Sequence, residues 1–157
     1  MSVSQRLSDL GISLPEVAKP AGAYLPAVRS GSLVFTAGQL PVVAGRLAAT
    51  GKVGAEVDAG EAAGLARTCA VNALAAVHAL VGIEAVRRVV KVTGFVASAP
   101  GFTDQPAVID GASELFGEVF GDAGGHARSA VGVAELPKNT PVELEIVVEV
   151  ETTAEVS

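Results

Sequence analysis

Val142-Glu143-Leu144-Glu145-Ile146-Val147-Val148-Glu149-Val150-Glu151 decides the fold class. Side chains of a strand point alternately to opposite faces. Val142, Leu144, Ile146, Val148 and Val150 therefore make an apolar face. Glu143, Glu145, Val147, Glu149 and Glu151 make the other. Working back from this strand, Ser129 to Ala134 reads as a strand and Val86 to Ala97 as a buried, valine-rich one. Thr103 or Asp104 caps a helix running to about Phe120, with Pro106 tolerated in its first turn. Asp58 to Leu80 is the clearest helix. Asp58 and Glu61 form its cap, Gly82 stops it, and Ala62, Ala66, Cys69, Ala73, Val77 and Leu80 form its apolar stripe. Cys69 lies on that stripe and reads as a core residue.

Further back, Ala23 to Val28 and Ser32 to Ala37 read as strands around an Arg29-Ser30-Gly31 turn. Val43 to Gly54 is a loop with a short strand at Arg46 to Ala48. Gln5 to Leu10 makes one or two helical turns with Ser4 as cap, and Gly11 to Gly22 is a linker. Gly121 to Gly125 is a flexible connection. The order β-β-(β)-α-β-α-β-β predicts an α+β fold: one mixed sheet with both helices on one face. The other face is exposed or an interface.

The 157 residues fit one domain and exclude a mainly disordered chain, half of them being apolar. A formal charge of −6 without a basic cluster disfavours general nucleic-acid binding. One Cys excludes an intramolecular disulfide and a thiolate metal cluster, and two His leave little for a metal site. The N-terminus lacks a secretory pattern, and Ala73 to Ile83 falls short of a membrane span. These features predict a cytoplasmic protein with no membrane partner. A mean hydropathy of +0.48 implies apolar surface buried against other subunits.

Arg128 opens an otherwise apolar strand, and its planar guanidinium suits a carboxylate. A four-residue hairpin loop at Glu135 to Lys138 would set Ala130 opposite Glu143 and Arg128 opposite Glu145. Arg128 and Glu143 would then be diagonal neighbours at about 7–8 Å on one face. Two readings stand: a cross-strand ion pair, or a site in which Arg128 holds an anion and a glutamate handles a proton or water. His126 is a general base or a solvated turn residue. His78 is a surface or interface residue, and Tyr24 a packed strand residue.

Ala127-Arg128-Ser129-Ala130-Val131-Gly132-Val133-Ala134-Glu135-Leu136-Pro137-Lys138, followed by Val142-Glu143-Leu144-Glu145, resembles the C-terminal signature of the YjgF/RidA family of reactive intermediate deaminases. Gly22-Ala23-Tyr24 through Val34-Phe35-Thr36-Ala37-Gly38-Gln39-Leu40-Pro41 is similar to its N-terminal motif, and Val90 to Val96 to its central strand. The resemblance covers roughly residues 20 to 151. It implies a chorismate-mutase-like fold for residues 21–152, with 1–20 an extension and 153–157 a tail. It also implies a homotrimer with clefts between subunits, and no cofactor or metal.

The implied reaction is hydrolysis of enamines and imines such as 2-aminoacrylate to 2-oxo acids and ammonia. Carried over, Arg128 binds the substrate carboxylate, Glu143 positions water, and Ala37 and Gly38 hold the substrate through the backbone. Tyr24 reaches in from the adjacent subunit. Ala130 takes a position that is often cysteine, so no thiol nucleophile stands there. Ala23 replaces a frequent proline, and Glu118 to Gly125 is a longer connection than usual. These departures mark a divergent subgroup. A non-catalytic trimer binding a small carboxylate such as a 2-oxo acid is the alternative. Endoribonuclease activity ranks last, because the chain is acidic, has one Tyr, no Trp and no basic-aromatic platform.

Overall fold

Strand β7 (Val142–Val150) occupies the middle of a five-stranded sheet of order β1-β2-β7-β5-β6. The computed structural model describes residues 1–17, 20 and 22–152. The tail at 153–157 and positions 18, 19 and 21 of the linker lie outside it. β1 (Ala27–Ser30) and β2 (Leu33–Thr36) form a hairpin. Its two-residue turn opens on Gly31 at φ 60°, where glycine carries no Cβ penalty. β1 begins at Ala27 rather than Ala23, since the chain bends through Gly22–Tyr24 and Pro26 has no N–H to pair. β3 (Val42–Val43) and β4 (Arg46–Leu47) make a separate small hairpin.

α2 (Ala59–Val81) starts at Asp58, whose Oδ1 accepts from the Glu61 N–H at 2.7 Å. It is long and apolar enough to cross a membrane by composition alone. Its stripe from Ala62 to Val77, Cys69 included, is buried inside the domain, which makes it the core helix. α3 (Gln105–Phe120) packs beside it. Both helices cover the face carrying Val34, Val92, Val96, Leu144, Ile146 and Val148, all essentially inaccessible. The layered α+β architecture is as the patterning predicts. α1 (Val3–Asp9) is capped by Ser2 rather than Ser4, and the N–H groups of Val3 and Ser4 donate to the Glu84 carboxylate. Leu7 is thereby buried. Gly121–Gly124 is a 3-10 turn rather than a loose connection, with Gly124 so close to the Phe116 carbonyl that no Cβ fits.

The expected β6–β7 hairpin does not form. β5 (Val86–Ala97) lies between β6 (Ala127–Val133) and β7, parallel to the first and antiparallel to the second. A strand–helix–strand connection needs a crossover and yields parallel neighbours, so α3 commits β6 to one edge of β5. The chain leaving β6 then passes the end of β5. The Ser98 N–H donates to Val133 O at 3.1 Å and the Ala97 N–H to Pro141 O at 2.9 Å. Lys138 and Asn139, at φ 56° and 58°, turn the chain within this passage.

The helix layer depends on glycine at its closest approach. A Cβ on Gly111 of α3 would overlap the Ala63 carbonyl of α2. Gly111→Ala is expected to cost about 2–3 kcal/mol through this backbone clash. Thermal unfolding should show a fall in Tm of roughly 4–12 °C for a chain of this size.

Candidate functional site

The functional candidates fall into two groups. Tyr24, Ala37, Gly38 and Glu143 make the first. β2 follows β7 in register through Phe35↔Val147. Beyond it the Thr36 Oγ1 accepts the Ile146 N–H at 3.0 Å in place of a backbone carbonyl. Regular pairing resumes at Gln39, whose N–H and carbonyl bond Leu144 at 2.7 and 3.0 Å. One extra residue is accommodated between these points, so Ala37 and Gly38 arch away from β7. The Ala37 N–H donates to Pro26 O, while the Gly38 N–H meets no described acceptor. Asn72 of α2 anchors the segment beyond, donating to the carbonyls of Leu40 and Val42.

Glu143 lies directly under this arch. A Cβ on Gly38 would come within 2.9 Å of its carboxyl carbon and Oε2. Glycine is therefore what admits the carboxyl to this position. Burial, and the neighbouring Glu145 charge, raise the Glu143 pKa above the ordinary glutamate range. Among the described residues no cation or hydrogen-bond donor meets this carboxylate. Beside Gly38 opens a cavity of about 500 Å³ lined by Tyr24, Pro26, Gln39, Asn72 and Lys138 among others. Tyr24 is half-exposed at its edge.

Arg128 and Ala130 make the second group, and they lie on the other face. Arg128 is in lateral register with Val92 and Ile146, and Ala130 with Gly94 and Leu144. These are core-facing rows. Glu143 shares its row with Phe95 and Val131 on the helix-free face. The expectation that Arg128 and Glu143 are diagonal neighbours on one face is thus corrected, as is the opposition of Arg128 to Glu145, which instead faces Thr93. Within one chain Arg128 and Glu143 stand on opposite faces, about two strand spacings, or roughly 10 Å, apart across the sheet and three residues, or roughly 10 Å, apart along it.

Arg128 is ion-paired, but with α3. Its Nη1 donates to Asp110 Oδ1 at 2.7 Å and Ser113 Oγ at 3.1 Å. His126 is partly buried and hydrogen-bonded rather than free in a turn. Its ring nitrogens bond Ser113 Oγ and Gly124 O at 2.9 and 2.6 Å. His78 is exposed, and its Nδ1 accepts the Ile83 N–H at the end of α2. Asp110 and Ser113 escaped the sequence reading. The signal was their i, i+3 spacing on α3, which faces β6 once the crossover is recognised. Among the described residues no group of three or more His, Cys, Asp or Glu is placed to hold a metal.

A layered α+β domain of this topology fits the YjgF class. The family model described as "YjgF/chorismate_mutase-like, putative endoribonuclease" matches residues 4–150, and the chain belongs to that family. It is 44% identical over 151 residues to Protein TCP17 of Trypanosoma cruzi, covering 94% of this chain and 93% of that one. It is 36% identical over 143 residues to a 2-iminobutanoate/2-iminopropanoate deaminase of Dermatophagoides farinae, covering 89% and 95% respectively. The crystal structure of Atu1372 from Agrobacterium tumefaciens, a protein of unknown function, superposes with a TM-score of 0.87 at 45% identity, covering 96% of this chain and 94% of that one.

Glu143 carries a stability signature. Its proton is held more tightly in the folded than in the unfolded chain. Its contribution to stability is therefore present below the ordinary glutamate range. It is lost as pH rises through the raised folded value. Glu143→Gln, which mimics the protonated form, is expected to be more stable than the parent at pH 7 by chemical denaturation. The difference should close once the pH falls below the ordinary glutamate range.

Proposed function

We propose that this protein hydrolyses small carboxylate-bearing imines and enamines to 2-oxo acids and ammonia. The observation that carries the reading is the Glu143 carboxyl: half-buried, raised in pKa, without a partner, and packed beneath Gly38, whose N–H meets no described acceptor. A surface glutamate without a task would sit in water at its ordinary pKa. The family membership and the deaminase relative support the same chemistry.

The reaction needs little from the protein. An imine carbon is already electrophilic. An enamine first takes a proton from solvent on its terminal carbon and becomes the iminium form. The Glu143 carboxylate takes a proton from water as the water oxygen attacks the iminium carbon, giving a neutral carbinolamine. Glu143 returns that proton to nitrogen and takes up the hydroxyl proton as the C–N bond breaks, so that ammonia leaves as the carbonyl forms. A carboxyl with a raised pKa serves these proton transfers better than an ordinary one. Arg128 grips the substrate carboxylate and so fixes the planar acid for attack. The Gly38 amide supplies a further donor, and Tyr24 borders the cavity. Ala130 offers only a methyl, so no covalent intermediate is required of it.

Arg128 and Glu143 act on one substrate only if they come from different copies, because one chain sets them on opposite faces. A homotrimer with clefts between subunits meets that need. The helix-free face supports it, since Val28, Phe35 and Val131 stay 48%, 44% and 42% exposed there in the single chain. Val28 and Phe35 are cross-strand partners on this face, and Val131 lies on the opposite edge strand, so the apolar exposure spans the sheet. The family description carries the word endoribonuclease. Here the open face bears Glu143, Glu145 and Glu149, which repel a phosphate backbone.

An amino-acid oxidase coupled to semicarbazide trapping tests the proposal. Imines made from a panel of amino acids should escape the trap when the protein is present. Glu143→Gln should lower kcat/KM by at least about 100-fold, in the range for loss of a proton-transfer group, and Arg128→Ala should lower it through lost grip and orientation of the substrate carboxylate. The rate should fall as pH drops through the raised Glu143 pKa. Unchanged trapping over the whole panel by a folded protein would refute the deaminase reading.

A further inference from the structure

Arg128 is held by one nitrogen. Nη1 makes both hydrogen bonds, to Asp110 and to Ser113. Behind them the network continues into the core. Gly124 O can only accept, so His126 Nδ1 carries the proton there, and in the neutral ring Nε2 accepts from the Ser113 hydroxyl. That hydroxyl oxygen accepts in turn from Arg128. The His126 ring stands edge-on to Phe116, at 88° with centroids 5.8 Å apart, and Phe116 is fully buried. A directed chain thus runs from a fixed core aromatic to one end of the guanidinium.

The other edge is left open. Nε and Nη2 of Arg128 donate to no described acceptor. No unpartnered side-chain nitrogen of a non-exposed residue is buried among the described residues, so both nitrogens reach solvent. Their N–H groups are parallel and form the fork that fits the two oxygens of a carboxylate. We infer that Asp110, Ser113 and His126 are positioning residues, which clamp Arg128 through Nη1 so that its Nε–Nη2 edge is presented, already ordered, to the carboxylate of a small substrate. The inference deepens the proposed function and rests on Arg128 as the carboxylate holder.

The sign of one substitution separates this from the simpler alternative. If Asp110 were only a counter-ion, removing it would raise the local positive charge and tighten anion binding. If it aims the guanidinium, removing it frees a side chain that binding must then immobilise. The expected loss is about tenfold in affinity. Asp110→Asn keeps an acceptor oxygen at Oδ1 and so should rescue most of what Asp110→Ala loses.

NMR on the full chain tests this with 2-oxobutanoate as probe. The dissociation constant should rise about tenfold in Asp110→Ala. It should return to within about threefold of the parent in Asp110→Asn, one remaining hydrogen bond sufficing to hold the aim. Without ligand, the Arg128 Nε–H order parameter should be high in the parent and fall in Asp110→Ala. Binding in Asp110→Ala as tight as in the parent, or tighter, would overturn the inference, as would equal losses in both variants. Unchanged binding in Arg128→Ala would instead remove Arg128 from the proposed deaminase site. The ligand-free order parameter then decides the clamp separately: an Nε–H still ordered in Asp110→Ala defeats it.

Discussion

The insertion of β5 between β6 and β7 governs everything that follows at the site. α3 joins β5 to β6 and forces them to be parallel neighbours. β7 then has only the far edge of β5 to join. Ile146 lies in the Arg128 row, and Glu143 is three positions from Ile146 along β7. An odd offset along a strand changes the face. No side-chain rotation undoes that parity. The two groups of the proposed site are separated by a packed sheet, so a single chain does not bring them together.

The elements were legible because their signals are local. A cap at Asp58, valine density from Val86 to Ala97 and strict alternation from Val142 each fix a residue's face without reference to distant chain. The motif residues were legible for a different reason: Gly38 and Glu143 do meet, at contact distance. Register across the sheet was not legible. A short polar segment between two strands reads as a hairpin, and only the crossover rule applied to α3 says that β6 already has its neighbour. The same error hid Asp110 and Ser113. With β6 beside β7, Arg128 had Glu145 for a partner and no reason to turn toward a helix. The extra residue at Ala37–Gly38 was also invisible, since alternation from Ser32 to Ala37 continues smoothly into it.

The two halves are prepared by opposite physical means. Arg128 is satisfied at one end, by hydrogen bonds that lead back to Phe116. Glu143 is deprived, with burial and Glu145 both disfavouring its charge. Local rules of stability are broken at the second half alone: an unpartnered carboxyl, an arched strand, an amide without an acceptor. Concentrations of such violations are expected where function outweighs stability. The ion pair with Asp110 is by contrast ordinary in stability terms, since a half-exposed pair contributes about 0–1 kcal/mol. Its value lies in where it leaves the rest of the guanidinium.

On the proposed reading of the site, a large polyanion is the poorer ligand. RNA is held by many cations acting additively, with affinity spread over successive phosphates. Here Arg128 offers one bidentate edge, and in the paired rows of the open face Glu143, Glu145 and Glu149 stand among only two cations, Arg88 and Lys91. A planar monoanion a few atoms long satisfies the fork and still leaves its reactive carbon free for water delivered by a carboxyl. A polynucleotide satisfies the fork at one phosphate and meets repulsion from the acidic strand. The chemistry with the fewest demands fits best: an electrophilic carbon that needs no activation, one positive edge to hold it, and one reluctant carboxylate to move a proton.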